Sequence, residues 1–340
     1  MPVVSVIVPC RNERAFVEAF CRSALAQELP AGWTMELVVA DGQSDDGTAE
    51  CLAVMAAAET RLRVIDNPGR IVSTGLNRAL SLAQGEVIVR MDVHTVYEAD
   101  YVQRCLEALA ETGADNVGGP WRAVALPQRS VQAAVAAAFQ SRWLAGGARS
   151  RQLDYSGWVD TVYLGCWPRA SFERFGGFDE QLVRNQDDEH NLRIRRGGGR
   201  IWQAAAIRSS YHPRSSVGGV FRQYLQYGYW KPFVMRKHGQ AASVRQLVPG
   251  AFVVLCLSGL PAWALGVPVT VAAAAPSAYA LMVLGVSTAI AARQGWRLWP
   301  WLPGVIAAYH MAYGLGTLLG WLDVLGGARA GRSRFARLTR

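Results

Sequence analysis

Between Leu247 and Ala292 the chain has no Asp, Glu, Lys, Arg or His. That run is more than twice the roughly 20 apolar residues that one helix needs to cross hydrocarbon. It argues against a soluble helical bundle, whose outer faces must be polar. Acids are scarce wherever the chain is basic. Residues 1–189 carry a balance of −8, residues 190–246 hold 11 Arg and Lys with no acid, and residues 247–340 hold seven Arg against the single acid Asp323. The net charge of +9 therefore hides an acidic front, a basic band and an apolar tail. No two of the six cysteines (Cys10, Cys21, Cys51, Cys105, Cys166, Cys256) form a C-x-x-C pair. This argues against a zinc site or a disulfide framework. No G-x-G-x-x-G follows the first strand pattern, and no G-x-x-x-x-G-K-[ST] occurs, which excludes a Rossmann dinucleotide site and a Walker phosphate loop.

The apolar tail predicts three membrane helices, near 247–265, 268–292 and 300–322. The basic band and the Arg293/Arg297 loop both favour the cytoplasm. A third span then places Arg329, Arg332, Arg334, Arg337 and Arg340 outside, against the same bias. The amino terminus, MPVVSVIVPCRNE, lacks the basic lead and long apolar run of a signal peptide. The expectation is a multi-pass protein of the cell membrane with a cytoplasmic front domain over 1–215. A basic aromatic interfacial segment follows over 216–246, then membrane helices over 247–325 and a basic tail over 326–340.

The front half alternates strand and helix. Val3–Val8, Glu36–Ala40, Leu62–Ile65 and Glu86–Met91 read as buried strands, and Glu13–Gln27, Ala49–Ala58 and Ile71–Ala83 as helices. Such alternation implies an α/β doubly wound sheet, in which ligands sit at the carboxyl ends of the strands. Three of those ends carry polar residues: Pro9 to Glu13, Asp41-Gly42, and Asp92-Val93-His94. Asp45 and Asp46 read as turn and capping residues. With no phosphate loop, a carboxylate-held divalent cation is the natural partner for a diphosphate.

The segments VSVIVPCRNE, ADGQSDDGT, DVH, GGFDE and NQDDEHNLRIRR, in this order, resemble the inverting family 2 glycosyltransferases. NPGRIVSTGLNRAL, GEVIVRMDVHTVYEADYV and RQYLQYGYWK look like the ExoA-type group that assembles succinoglycan and related exopolysaccharides. The resemblance spans residues 3–237. It implies a GT-A nucleotide-sugar-binding fold with a mixed sheet, and a UDP-sugar donor contacted by Pro9, Asn12, Glu13, Asp41, Arg70 and Asp92. Asp41 matches the aspartate that holds uracil. Asp92 and His94 stand where the family has D-x-D and are the expected ligands of Mn²⁺ or Mg²⁺. His94 replaces a carboxylate there, and imidazole suits Mg²⁺ poorly. Asp187, with Asp188 as the fallback, matches the general base that takes the acceptor proton, although Gln186 replaces the family's preceding Glu.

Many membrane-bound relatives carry a Q-x-x-R-W motif, which is absent here. Arg222, Gln223, Trp230 and Lys231, with His212 and Arg214 upstream, are the expected contacts of an acceptor or its diphosphate. The same residues also suit a headgroup belt on anionic lipid. The implied activity moves a hexose, glucose from UDP-glucose, onto a polyprenyl-diphosphate-linked sugar with inversion, in exopolysaccharide or cell-surface glycan synthesis. A processive synthase and a polyprenyl-phosphate glycosyltransferase are the enzymatic rivals. A nucleotide- or nucleic-acid-binding scaffold is the non-enzymatic one. Nucleic acid is disfavoured because the cations cluster beside the apolar helices.

Overall fold

The computed structural model of the chain describes residues 1–144, 147–240, 246–327 and 335. Arg329, Arg332, Arg334, Arg337 and Arg340, whose placement the topology argument needed, lie outside the described residues. The chain divides into two compact units: Met1–Arg122 with Ala148–Tyr211, and Ala123–Gly147 with His212–Arg340. The segment 123–147, expected in the front domain, thus groups with the carboxyl-terminal helices.

The first unit is built on strands β1 (Val3–Cys10), β2 (Thr34–Asp41), β3 (Leu62–Asp66), β4 (Val87–Arg90), β5 (Thr95–Tyr97) and β6 (Asn116–Gly119). They are followed by β7 (Arg122–Ala123), β8 (Gly157–Trp158), β9 (Tyr163–Pro168), β10 (Ile201–Gln203) and β11 (Ser209–Tyr211). Eight strands form one sheet in the order β3-β2-β1-β4-β9-β6-β10-β8, and β5, β11 and β7 form a small one. β1 pairs parallel with β2 and β4, and β2 with β3. β9 runs antiparallel to both β4 and β6, so the sheet is mixed.

Period-2 alternation of apolar residues explains why these strands read as continuous apolar runs. Val4, Val6, Val8, Leu37 and Val39 join one core with Val17, Phe20, Tyr101 and Val102. Ile7, Val38, Ala40 and Ile88 join another, with Leu76, Ala79, Phe172 and Ile194. Each such burial contributes about 2 kcal/mol, and covering both faces places the polar residues at the strand ends.

In the second unit, helix Val217–His238 packs along helix Leu302–Leu325, and the two run parallel. Tyr224 meets Tyr309 with ring centroids 4.1 Å apart, and the Arg236 guanidinium donates to the Val324 carbonyl at 3.2 Å. Glycines permit this closeness. A Cβ on Gly228 would overlap the Tyr313 carbonyl, and one on Gly316 or Gly320 the carbonyls of Leu225 or Tyr229. Small residues at such spacing let helix backbones touch. The Tyr229 hydroxyl donates to Asp323 at 2.6 Å.

Segment 216–246 therefore differs from an interfacial belt. Gln223, Tyr224, Gln226, Tyr229, Trp230, Lys231 and Phe233 are buried, because a glycine-lined partner draws this helix into the bundle. Among the described residues two helices, Ala274–Gln294 and Leu302–Leu325, are long and apolar enough to cross a membrane. The first expected span, 247–265, is a shorter 17-residue helix, Val248–Ala264. Leu255, Leu257, Leu260 and Trp263 of that helix, with Leu281 and Leu284 of Ala274–Gln294, are exposed.

Candidate active site

The loops after β1 and β2 are tied together by the residues that the sequence singled out. Cys10 and Asp41 are register partners at the strand ends. The buried Asp41 carboxylate accepts from the Ser44 amide at 3.0 Å and from its hydroxyl at 2.5 Å. The Asn12 amide donates to that hydroxyl oxygen at 2.8 Å, and the Asn12 side chain exchanges hydrogen bonds with Asp45. The Glu13 amide donates to Thr48, whose hydroxyl donates to Asp46. Asp45 and Asp46 are thus turn groups, whereas the N-cap of helix Thr48–Ala58 is Gly47, with no side-chain cap. The Arg70 guanidinium donates to Gln43 at 2.7 Å.

Asn12, Gln43, Arg70 and Asn185 are four of the six non-glycine residues with positive φ among the described residues. Backbone strain of this kind concentrates at functional sites. Here it marks the loops beyond β1, β2 and β3 and the start of helix Gln186–Arg196.

One basic residue that the sequence reading did not single out organises the acids. β4 ends at Arg90, which is buried. Its Nε donates to Asp92 Oδ1 at 3.2 Å, and its Nη2 reaches both Asp92 oxygens at 3.2 Å. Burial pushes the Arg90 pKa down, but the carboxylates of Asp92 and Asp187 push it up further and leave it above its ordinary value. Two acids far apart in sequence therefore act on one buried guanidinium. The Asp92 backbone is fixed as well. Its amide donates to the Tyr97 hydroxyl oxygen at 2.7 Å, and its carbonyl accepts from the Thr95 amide at 3.1 Å. Burial, then the Asp92 charge, raises the pKa of Tyr97 and Tyr163 well above the usual range, so both stay protonated.

His94 is half-exposed, with Nδ1 at 3.6 Å from Glu13 Oε1. No cluster of three His, Cys, Asp or Glu suited to a metal occurs among the described residues. Asp92 and His94 are the two expected ligands at this strand end, and Mg²⁺ and Mn²⁺ accept so few protein groups only when phosphate oxygens and water complete the set. A further feature missed in the sequence is an aromatic wall beside His94. Tyr211 packs edge-on against His94 at 6.2 Å, and Trp121 lies 5.4 Å from Tyr211 and stacks on Tyr163 at 5.9 Å. Arg151 sits over the Trp121 ring at 4.4 Å.

Helix Gln186–Arg196 opens with Asp187, Asp188 and Glu189 and ends with Arg193, Arg195 and Arg196, a charge order that complements its dipole. The acids divide their roles. Glu189 is fully buried and pairs with Arg193 at 2.6 Å, so it is structural. Asp187 Oδ1 accepts from the Asp188 amide at 2.9 Å.

The next residue, His190, is buried among Trp167, Phe172 and Phe178 and bonds the Gly176 carbonyl at 3.0 Å. Burial, then the Arg193 charge, lowers its pKa from 6.5 to about 4. The unfolded chain then binds more protons between those values. Stability is complete above pH 6.5 and falls by roughly 3 kcal/mol as the pH drops toward 4. Melting temperatures measured across that window should show this slope, and His190→Leu should flatten it.

Pro9, Asn12, Glu13, Asp41, Arg70, Asp92, His94, Asp187 and Asp188 all belong to the first unit, whereas His212, Arg214, Arg222, Gln223, Trp230 and Lys231 belong to the second. His212 Nδ1 lies 2.9 Å from the Val124 carbonyl oxygen, and Gln223 donates to the Tyr227 hydroxyl at 3.2 Å. Trp230 is corrected: it has no exposed surface and is packed on Tyr229 and Phe233. An enclosed ring has no face to offer a sugar.

The profile of Glycosyl transferase family 2 matches residues 5–166. The succinoglycan biosynthesis protein ExoA of Rhizobium meliloti (strain 1021) is 32% identical over 286 residues, which are 82% of this chain and 86% of that one. A dolichyl N-acetyl-alpha-D-glucosaminyl phosphate 3-beta-D-2,3-diacetamido-2,3-dideoxy-beta-D-glucuronosyltransferase of Methanococcus voltae is 24% identical over 266 residues, 76% of this chain and 81% of that one. Among solved structures, the mannosyltransferase PcManGT of Pyrobaculum calidifontis, in complex with GDP-Man and Mn²⁺, matches with a TM-score of 0.59 at 22% identity. That match covers 93% of this chain and 86% of the other, and shows a shared GT-A fold. The profile covers the strand ends that carry Asp41 and Asp92, the ExoA likeness runs along most of both chains, and the chain accordingly belongs to glycosyl transferase family 2.

Proposed function

We propose that this glycosyltransferase moves a hexose, glucose from UDP-glucose, onto a polyprenyl-diphosphate-linked sugar at the cytoplasmic face of the cell membrane, in exopolysaccharide synthesis. The observation that carries the reading is the pairing of Asp92 with the buried Arg90 guanidinium at the end of β4, whose pKa the Asp187 charge also raises. It brings a donor-side carboxylate and a candidate base into one electrostatic site. The ExoA likeness supports the exopolysaccharide assignment. The two long apolar helices support a membrane-borne acceptor.

Asp41 holds the base of the nucleotide. Its oxygens, already fixed by Ser44, keep lone pairs for the uracil imide N–H. Asp92 and His94 would hold a divalent cation, which supplies positive charge to the departing diphosphate. Asp187 takes the proton of the acceptor hydroxyl as its oxygen bonds the anomeric carbon. The bond to the diphosphate breaks on the opposite face, and its electron pair leaves with UDP. Single displacement inverts the configuration. Asp188 remains the fallback base. His212, Arg214 and Arg222 are the residues proposed for the acceptor diphosphate, to which the two guanidinium groups bring positive charge and N–H donors.

The test uses the full chain in detergent or nanodiscs with a panel of UDP-sugars, Mn²⁺ or Mg²⁺, and a lipid-diphosphate-linked sugar. UDP-glucose should release UDP only when the acceptor is present, and each turnover should add one sugar. Acceptor-independent release alone, or a ladder of products, overturns the assignment.

A further inference from the structure

Arg90 is an unusual last residue for a strand whose other members, Val87, Ile88 and Val89, are all buried apolar groups. Taking a guanidinium out of water costs several kcal/mol unless its charge and donors are met. Asp92 meets part of that cost through Nε and Nη2. Nη1 is buried and has no hydrogen-bond partner among the described residues. A buried donor without an acceptor costs free energy, and its persistence calls for an explanation beyond the ion pair itself.

The location is informative. Arg90 is two residues from the carboxylate assigned to the cation, and the Asp187 carboxylate acts on the same guanidinium. The site thus carries a tethered positive charge where a diphosphate-bound cation is expected.

We propose that Arg90 is a positioning residue of the donor site: its fork fixes the Asp92 carboxylate and stands as that carboxylate's counter-cation until a nucleotide-borne divalent cation arrives. The inference rests on the assignment of Asp92 to the cation. It gives Arg90 two effects of opposite sign. Arg90 orients Asp92, which favours turnover. Arg90 also neutralises Asp92, which weakens the hold of the empty site on a free cation. A divalent ion without nucleotide then finds little net negative charge. The ion arriving with a diphosphate brings its own oxygen ligands and needs only a correctly aimed carboxylate. The arrangement selects the cation–nucleotide complex over the free metal.

The experiment measures Mn²⁺ binding directly, by electron paramagnetic resonance on the full chain, with and without UDP. The wild type should bind free Mn²⁺ weakly and bind it clearly when UDP is present. Arg90→Met should bind free Mn²⁺ about tenfold more tightly, since it removes a unit positive charge held against the carboxylate expected to bind the ion. Its donor KM should rise at the same time. A general loss of structure would weaken both.

Unchanged or weaker Mn²⁺ binding by a folded Arg90→Met chain overturns the inference and leaves the transferase assignment standing. Wild-type protein that fails to bind Mn²⁺ even with UDP removes the cation role of Asp92, and the inference falls with it. Arg90→Lys covers the case in which the methionine variant does not fold. It keeps the charge and loses the planar fork, so free Mn²⁺ affinity should stay at the wild-type value while donor KM rises. Tighter Mn²⁺ binding by the lysine variant counts against the proposal.

Discussion

Asp187→Asn lowers kcat about a thousandfold, the middle of the range for removing a positioned general base, with little change in donor KM. The expectation follows from placement. Asp187 lies in the first turn of helix Gln186–Arg196, where the helix field favours a carboxylate. Its charge acts on Arg90 at the end of β4. Its neighbour Glu189 is committed to Arg193, which leaves Asp187 and Asp188 as the acids of this turn for chemistry. Stability should change little, since asparagine keeps the size of the side chain and an oxygen for the Asp188 amide. Steady-state turnover with saturating UDP-glucose and lipid acceptor is the measurement. If Asp188→Asn abolishes turnover while Asp187→Asn spares it, the base is Asp188. If both spare it, neither acid is the base.

Asp92→Asn has a second, different signature. Activity should fall at least a hundredfold, because the diphosphate loses the carboxylate that steadies its counter-ion. In addition the protein should lose about 3 kcal/mol of stability, since removing one partner of a buried ion pair leaves the other uncompensated. The uncompensated group is Arg90, whose Nε and Nη2 both point at Asp92. Melting temperatures then separate the two acids. Asp92→Asn melts clearly below the wild type, whereas Asp187→Asn does not. A wild-type melting temperature for Asp92→Asn would mean that the Asp187 charge alone suffices to balance the guanidinium.

The strand-end carboxylates were legible because their signals are local. A strand that buries both faces reads as an apolar run, and acids just past it, Asp41 and Asp92, must stand at the carboxyl edge of the sheet. Asp-Gly-Thr similarly announced a turn, and Asp46 bonds Arg14 and Thr48 there, although the residue at the N-cap of the helix is Gly47. Arg90 was hidden by its position inside the apolar pattern of β4. The one available signal was a cation where a core residue belongs. Trp121, Tyr163 and Tyr211 come from three separate strands and segments, and no spacing rule joins them. The helices show the reverse error. Aromatics among cations in Arg222 to Lys231 suggested a surface, yet the glycines of Leu302–Leu325 give that helix a partner close enough to bury Trp230 and Lys231.

The sequence by itself determined the α/β alternation, the family, the carboxylates at the strand ends and the apolar character of the tail, because each is written in contiguous residues whose period or chemistry has one physical meaning. Only the tertiary structure decided that β9 enters the sheet antiparallel, that segment 123–147 joins the helical unit, and that Asp92 pairs with a buried arginine. Those facts depend on which distant segments meet. Direction, partnership and charge balance arise from packing across the chain, and a local pattern reads the same whichever neighbour it finds.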